Sequence, residues 1–367
     1  MSRFLQFIAL VAFLTVVALW FFPLDGKSRS SRQNTTSGQT TTGGGTTTHP
    51  NEPIDQSPEA MINRLFERLR SGSFTPADLA TFRRALLAAD PATAIAAITA
   101  FLSTGQDANT GERFVVGERG ELSGAPTMRV LLLDLLGRIC KTSGGSEAAV
   151  LARALMERKT SADEWAIAMR NVGWTTPKER TYLAGKVREM LRYEAWRQQP
   201  SGGFLESFDI IVFTRDASFT PELGEIVKSE DKALQRAAAV AMDRLSEMNP
   251  LDVMNWLNAN PNEFSAKPML RADYFTKADF TQPAQKQAVE TYLGRIDVEQ
   301  KEKIKLLNGI AAPGTFAAEG LLTPPPPEND SPEKFTALQT TVRDWVKMNR
   351  FPTLLPSLLQ LQARLTE

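Results

Sequence analysis

"DKALQRAAAVAMDRL", residues 231–245, decides how this chain folds. Leu234, Ala238, Ala241, Met242 and Leu245 recur at intervals of three and four, so a helix with 3.6 residues per turn gathers them on one face. The small alanines on that face permit a second helix to approach closely. The same period extends outward: Met61, Ile62, Leu65, Phe66 and Leu69 make one stripe, Leu79, Phe82 and Leu86 another, and Ile95, Ile98 and Leu102 a third. Strand patterning is almost absent. "RFVVGERGEL", residues 113–122, reads either as a small hairpin turning at Glu118–Gly120 or as a loop.

The punctuation between stripes agrees with many short helices, about fourteen in all. A capping residue followed by proline recurs as Ser57-Pro58, Thr75-Pro76, Asp90-Pro91, Thr176-Pro177, Thr220-Pro221, Asn249-Pro250 and Ser331-Pro332. Proline suits the first helical position, where its missing N–H would be unpaired anyway, and the capping oxygen accepts from the next free amides. Asp78 after Thr75, Glu164 after Ser161 and Glu179 after Thr176 add the acid of a capping box.

"MRVLLLDLLGRI", residues 128–139, resembles the second helix of a HEAT repeat: an apolar residue, arginine, an apolar run and a closing Leu-Gly-basic-apolar. Residues 231–245 resemble the same helix with its preceding aspartate, departing from it at Gln235, where the arginine would stand, and at Asp243, which replaces the glycine. Helix starts are spaced irregularly, with no strict period of about 40 to 47 residues. The resemblance implies an all-α, HEAT-like (armadillo-type) α-solenoid in which each helix pair hides its apolar face by stacking on its neighbours. It implies an architecture and no activity.

"LLTPPPPENDSPEK", residues 321–334, interrupts the helices; Pro324 to Pro327 favour an extended polyproline spacer. Beyond it, Phe335, Leu338, Val342, Trp345 and Val346 mark one amphipathic helix and Leu354, Leu355, Leu358, Leu359 and Leu361 another. The two are expected to fold back and cap the end of the array.

Upstream, Phe4 to Phe22 is apolar except for Gln6 and Thr15 and spans roughly 28 Å as a helix, the thickness of a bilayer's hydrocarbon core. Trp20, Phe21 and Phe22 suit the interface, Pro23 ends the helix, and Lys27, Arg29 and Arg32 meet headgroups. The alternative, a cleaved signal peptide, lacks a small-x-small site. Residues 24–56, rich in Ser, Thr and Gly, form a disordered tether with a flexible-coil reach of roughly 30 Å and an extended limit of ~115 Å.

Composition removes several chemistries. Lys plus Arg equals Asp plus Glu at 42 each, so there is no basic excess for a phosphate backbone and nucleic acid is not expected as a partner. The single cysteine, Cys140, lies in an apolar run, and the single histidine, His49, in the tether, which excludes His-dependent nucleophiles and His or Cys metal centres from the body. "DGKS" at Asp25 lacks the upstream glycine of a phosphate-binding loop. Ser229 with Lys232 and Ser331 with Lys334 match Ser-x-x-Lys, but both serines read as helix caps. Trp165, Trp174, Trp196, Trp256 and Trp345 sit at helical spacing among apolar neighbours and read as core. Asn34-Thr35-Thr36 fits a glycosylation acceptor only in a eukaryotic secretory setting.

The expected organisation is a transmembrane signal anchor (1–23), a tether (24–56), a HEAT-like body (57–320), a Pro-rich connector (321–331) and a C-terminal helical hairpin (332–367). No catalytic, cofactor or metal residue is nominated. The expected function is a single-pass membrane scaffold, its body on the extracytoplasmic side of a bacterial membrane, binding a protein or peptide. Its rival is a carboxylate-dependent (α/α)-toroid enzyme acting on envelope polysaccharide, which would place two acids about 5 to 9.5 Å apart in an aromatic-lined cleft.

Overall fold

A computed structural model describes residues 55–264, 267–311, 320–325 and 331–366; of these, 71% are helical and 2% lie in strands, so the body is all-α. Residues 1–54 lie outside the described residues, and with them the apolar span, His49 and nearly all of the tether. Among the described residues no helix is long and apolar enough to cross a membrane.

The first helices are α1 (Pro58–Ser71), α2 (Pro76–Ala88) and α3 (Pro91–Ser103). A two-stranded antiparallel hairpin follows, β1 (Val115–Val116) with β2 (Leu122–Gly124), turning through Glu118–Gly120. Then come α4 (Met128–Ser143), α5 (Glu147–Met156), α6 (Ala162–Thr175) and α7 (Arg180–Arg192). Four short pieces, α8 (Glu194–Gln198), α9 (Gly202–Glu206), α10 (Phe208–Thr214) and α11 (Thr220–Ile226), lead to α12 (Lys232–Met248). After it stand α13 (Pro250–Ala259), α14 (Pro268–Phe275), α15 (Pro283–Gly294) and α16 (Gln300–Gly309), and last α17 (Pro332–Lys347) and α18 (Leu355–Thr366).

Local chemistry sets most of the boundaries. The side chains of Ser57, Thr75, Asp90 and Ser331 accept from amides of the turn they precede, and Thr75 with Asp78 completes a capping box. Thr127 does the same for Val130 at the start of α4. Replacing Thr127 with alanine is expected to lower stability by about 1 kcal/mol, read as a lower urea midpoint at unchanged slope.

Three expected caps are corrected. Thr176 ends α6 instead of starting α7: its amide and its hydroxyl both donate to the Val172 carbonyl, at 2.7 and 2.9 Å, so its oxygen caps nothing. Glu179, expected to complete that box, pairs with Arg153. Thr220 lies inside the first turn of α11, its hydroxyl donating back to the Ala217 carbonyl. At Asn249 the helix begins as expected, but the side-chain amide donates, to Asp252 and to the Arg215 carbonyl, and caps no N–H.

Packing follows chain order. α1 packs on α3, α4 on α6, α10 on α12, α12 on α14, α14 on α16 and α16 on α18, as well as each helix on its immediate neighbour in most cases. This next-but-one stacking is consistent with a helical solenoid. The stripe in residues 231–245 points where its period indicates: Leu234, Ala238, Ala241, Met242 and Leu245 are all buried.

Ion pairs recur between stacked helices. Arg129 of α4 meets Glu164 of α6, and Asp134 of α4 meets Arg170 of α6. Asp209 of α10 meets Arg244 of α12, Arg271 of α14 meets Glu302 of α16, and Lys277, just past α14, meets Asp243 of α12. Partners stand 35, 36, 35, 31 and 34 residues apart, shorter than the HEAT period of about 40 to 47. The glycine of "LLGRI" belongs to the same device. A Cβ on Gly137 would collide with the Asn171 amide and crowd the Arg170 guanidinium, so its absence lets α6 lie this close to α4.

α17 and α18 pack on each other, and α18 on α16. Arg364 donates to the Leu307 carbonyl at the end of α16, and Trp345 to Glu290 of α15. Phe335 and Leu359, expected on the covered face, are exposed, because this terminal pair is covered from one side only.

Candidate functional site

Residues 320–325, Gly320 and the start of the Pro-rich connector, lie against parts of the helical body distant from them in sequence. Asp209 opens the first turn of α10 and is the centre of the contact. Its carboxylate accepts from the backbone amides of Leu322 (2.7 Å) and Thr323 (3.0 Å) and from the Thr323 hydroxyl. Successive amides converging on one anion make a nest, with the strap supplying the donors and α10 the charge. The Gly320 amide donates to the Thr323 carbonyl at 3.1 Å, closing the strap around the carboxylate.

Three other elements line the groove. Arg244 of α12 donates to the Pro324 carbonyl at 2.5 Å and faces Asp209 at 3.5 Å. Leu322 lies against Gly173 of α6, where an added Cβ would stand 2.5 Å from its Cδ1. Leu321 is fully buried, and its carbonyl abuts Gly120 in the hairpin turn. Gly120 has φ +77°, a conformation that L side chains rarely adopt, and a Cβ there would strike the Leu321 backbone; its own carbonyl is held by Arg170 at 2.9 Å. A hairpin, α6, α10 and α12 thus grip residues 320–324, which bend at Leu321 and Leu322, by backbone polar groups and two leucines.

Burial raises the Asp209 carboxyl above the ordinary carboxylate range, against the opposing pull of the Thr323 hydroxyl, the two amides and Arg244. Glu206 of α9 is raised too, by burial and then by the charge on Asp209. A carboxyl whose folded-state pKa is raised contributes stability that is complete below its unfolded value of about 3.9 and is lost as pH rises through the folded one. An Asp209→Asn chain lacks that contribution. The advantage of wild type over Asp209→Asn in urea midpoint is therefore expected to shrink from about pH 4 to pH 7. An advantage that grows with pH would mean that the bonds to the charged form outweigh burial.

Residues singled out in the sequence fall elsewhere. Cys140 is buried, its thiol pushed up by burial, with Glu147 3.8 Å away. Ser229 accepts from the Asp231 amide and Ser331 from the Lys334 amide, as local turn and cap. Trp165 and Trp345 are fully buried core; Trp196 and Trp256 are half-buried against it. Trp174 differs, being half-buried with Lys141 and Arg170 over its ring at 4.0 and 3.9 Å.

Two shallow clefts lie where α15 meets the C-terminal hairpin. One, about 440 Å³, includes Glu290, Arg295 and Arg350; the other, about 710 Å³, includes Phe280, Lys286 and Glu333. Each is lined by a single carboxylate. Among the described residues no group of three or more His, Cys, Asp or Glu side chains is placed to hold a metal ion. The strap was not legible in the sequence: four prolines read as a solvated spacer, and nothing local marks Asp209, 113 residues from Leu322, as its partner.

No protein-family model, curated protein or solved structure matches this chain. The likeness to HEAT repeats therefore rests on the two helices that carry it and on the stacking of the body.

Proposed function

We propose that the chain is a membrane-tethered, HEAT-like scaffold. Residues 4–22 anchor it, residues 24–56 give the body freedom to move near the bilayer, and the helical body, on the extracytoplasmic side, binds a protein or peptide. The observation that carries the reading is the groove: helices from separate parts of the array converge on a short bent segment and hold it chiefly by its backbone. Stacked helical repeats commonly present extended surfaces of this kind to partners. The apolar run and the Ser/Thr/Gly-rich stretch support the tethering.

Fractionation tests it. The full chain is expected in the membrane fraction, resistant to carbonate wash, and a chain lacking residues 1–56 in the soluble fraction with the same helical circular dichroism. Protease added to spheroplasts is expected to digest the body. A full chain recovered without membrane, or a body that stays protected in spheroplasts but is cut after lysis, overturns the anchor or its orientation respectively.

A further inference from the structure

We infer that residues 320–325 are the chain's own occupant of a peptide-binding groove, and that the partner is a peptide of the pattern Gly-Leu-Leu-Ser/Thr-Pro, bent as these residues are, which displaces them. The inference rests on the scaffold reading and names its ligand.

The chemistry of the grip defines the ligand. Asp209 demands two consecutive backbone N–H groups and a hydroxyl beside the second, so the fourth position is Ser or Thr and neither of the gripped amides is proline. A Cβ on Gly320 would strike the Asp209 carboxylate, so the first position is glycine; Leu321 is fully buried at the hairpin turn and Leu322 seats on Gly173, so the second and third positions are apolar. Arg244 takes the carbonyl of the residue after the hydroxyl, which needs no N–H of its own; proline meets that condition and has its φ fixed in advance. These contacts are mostly to backbone, and a peptide of the same pattern in trans reproduces all of them.

An occupant that belongs to the same chain as the groove competes at an effective concentration of order 1 mM. A partner therefore succeeds only by making further contacts or by being concentrated at the same membrane. The arrangement makes weak, free peptides poor ligands of the intact protein.

The test uses the full chain and a variant with residues 320–325 replaced by Gly and Ser, and as probe a synthetic peptide of residues 318–327. The peptide is expected to bind the strap-replaced chain at least roughly tenfold more tightly than wild type, since wild type offers the groove only in the fraction with the strap released. In the strap-replaced background Asp209→Asn is expected to weaken binding about tenfold or more, and a peptide with valine at the threonine position likewise. A strap-replaced chain that keeps its helical signal and thermal midpoint yet binds no peptide overturns the proposal. Should that variant not fold, wild type is read instead by amide exchange: excess peptide is expected to speed exchange at Leu322 and Thr323, and unchanged protection overturns the proposal. Failure here removes the ligand assignment alone, because membrane association is read separately by fractionation.

Discussion

Replacing Asp134 with alanine is expected to cost about 3–5 kcal/mol, a large fraction of the 5–15 kcal/mol that usually separates a folded domain from its unfolded chain. Arg170 is wholly buried, and so is Asp134. The guanidinium donates to the Asp134 carboxylate at 2.5 Å, to the Gly120 carbonyl at 2.9 Å and to the Asn171 side chain, and it lies over Trp174. Burial holds the arginine pKa below its usual value, against the opposing pull of the charge on Asp134. Removing Asp134 leaves that cation without its counter-charge and the Leu122 amide without its acceptor. Urea denaturation reads the loss directly. The comparison that isolates the charge is Asp134→Leu with Arg170→Met, which removes both ions and is expected to recover most of the deficit. An Asp134→Ala chain as stable as wild type would show that other groups already balance Arg170.

Trp345→Ala is expected to have an effect of similar size, about 3–5 kcal/mol, confined to one end of the molecule. Trp345 is almost fully buried, meets Phe280 and Phe351 edge to face, and donates to Glu290 of α15 at 2.8 Å. With Leu338 and Val342 it makes the buried apolar face of α17. In stacked helices each element leans chiefly on its neighbours, so loss at the end need not spread. Limited proteolysis is expected to cut within residues 332–366 while residues 58–309 stay protected. Cutting throughout the body at the same rate would mean that the C-terminal pair is integral to one cooperative unit.

The helices were legible in the sequence wherever a cap and a period agreed. Ser57, Thr75, Asp90 and Ser331 cap as expected, and the stripe from Leu234 to Leu245 is buried throughout. The short pieces α8 to α11 were not legible, because five to seven residues complete too little of a turn pattern to show a period. Thr176 and Thr220 misled because a threonine hydroxyl can bond back to its own helix as readily as forward to the next. The salt links between stacked helices were hidden by their spacing of 31 to 36 residues, far outside any local window. The groove was least legible, since its parts come from a hairpin, three helices and a stretch whose composition signals exposure.

The position of the strap in the chain also sets an order of events. Its contacts span more than a hundred residues, and such non-local closures form late in folding. Synthesis runs from the amino end, so α6, α10 and α12 exist before residue 320 does. At 5–20 residues per second, the ~70 residues between the end of α12 and the strap take several seconds to make. If the proposed partner exists, then for that interval each new molecule has made the helices of the groove and not the residues that fill it, and a partner present at birth meets no competitor.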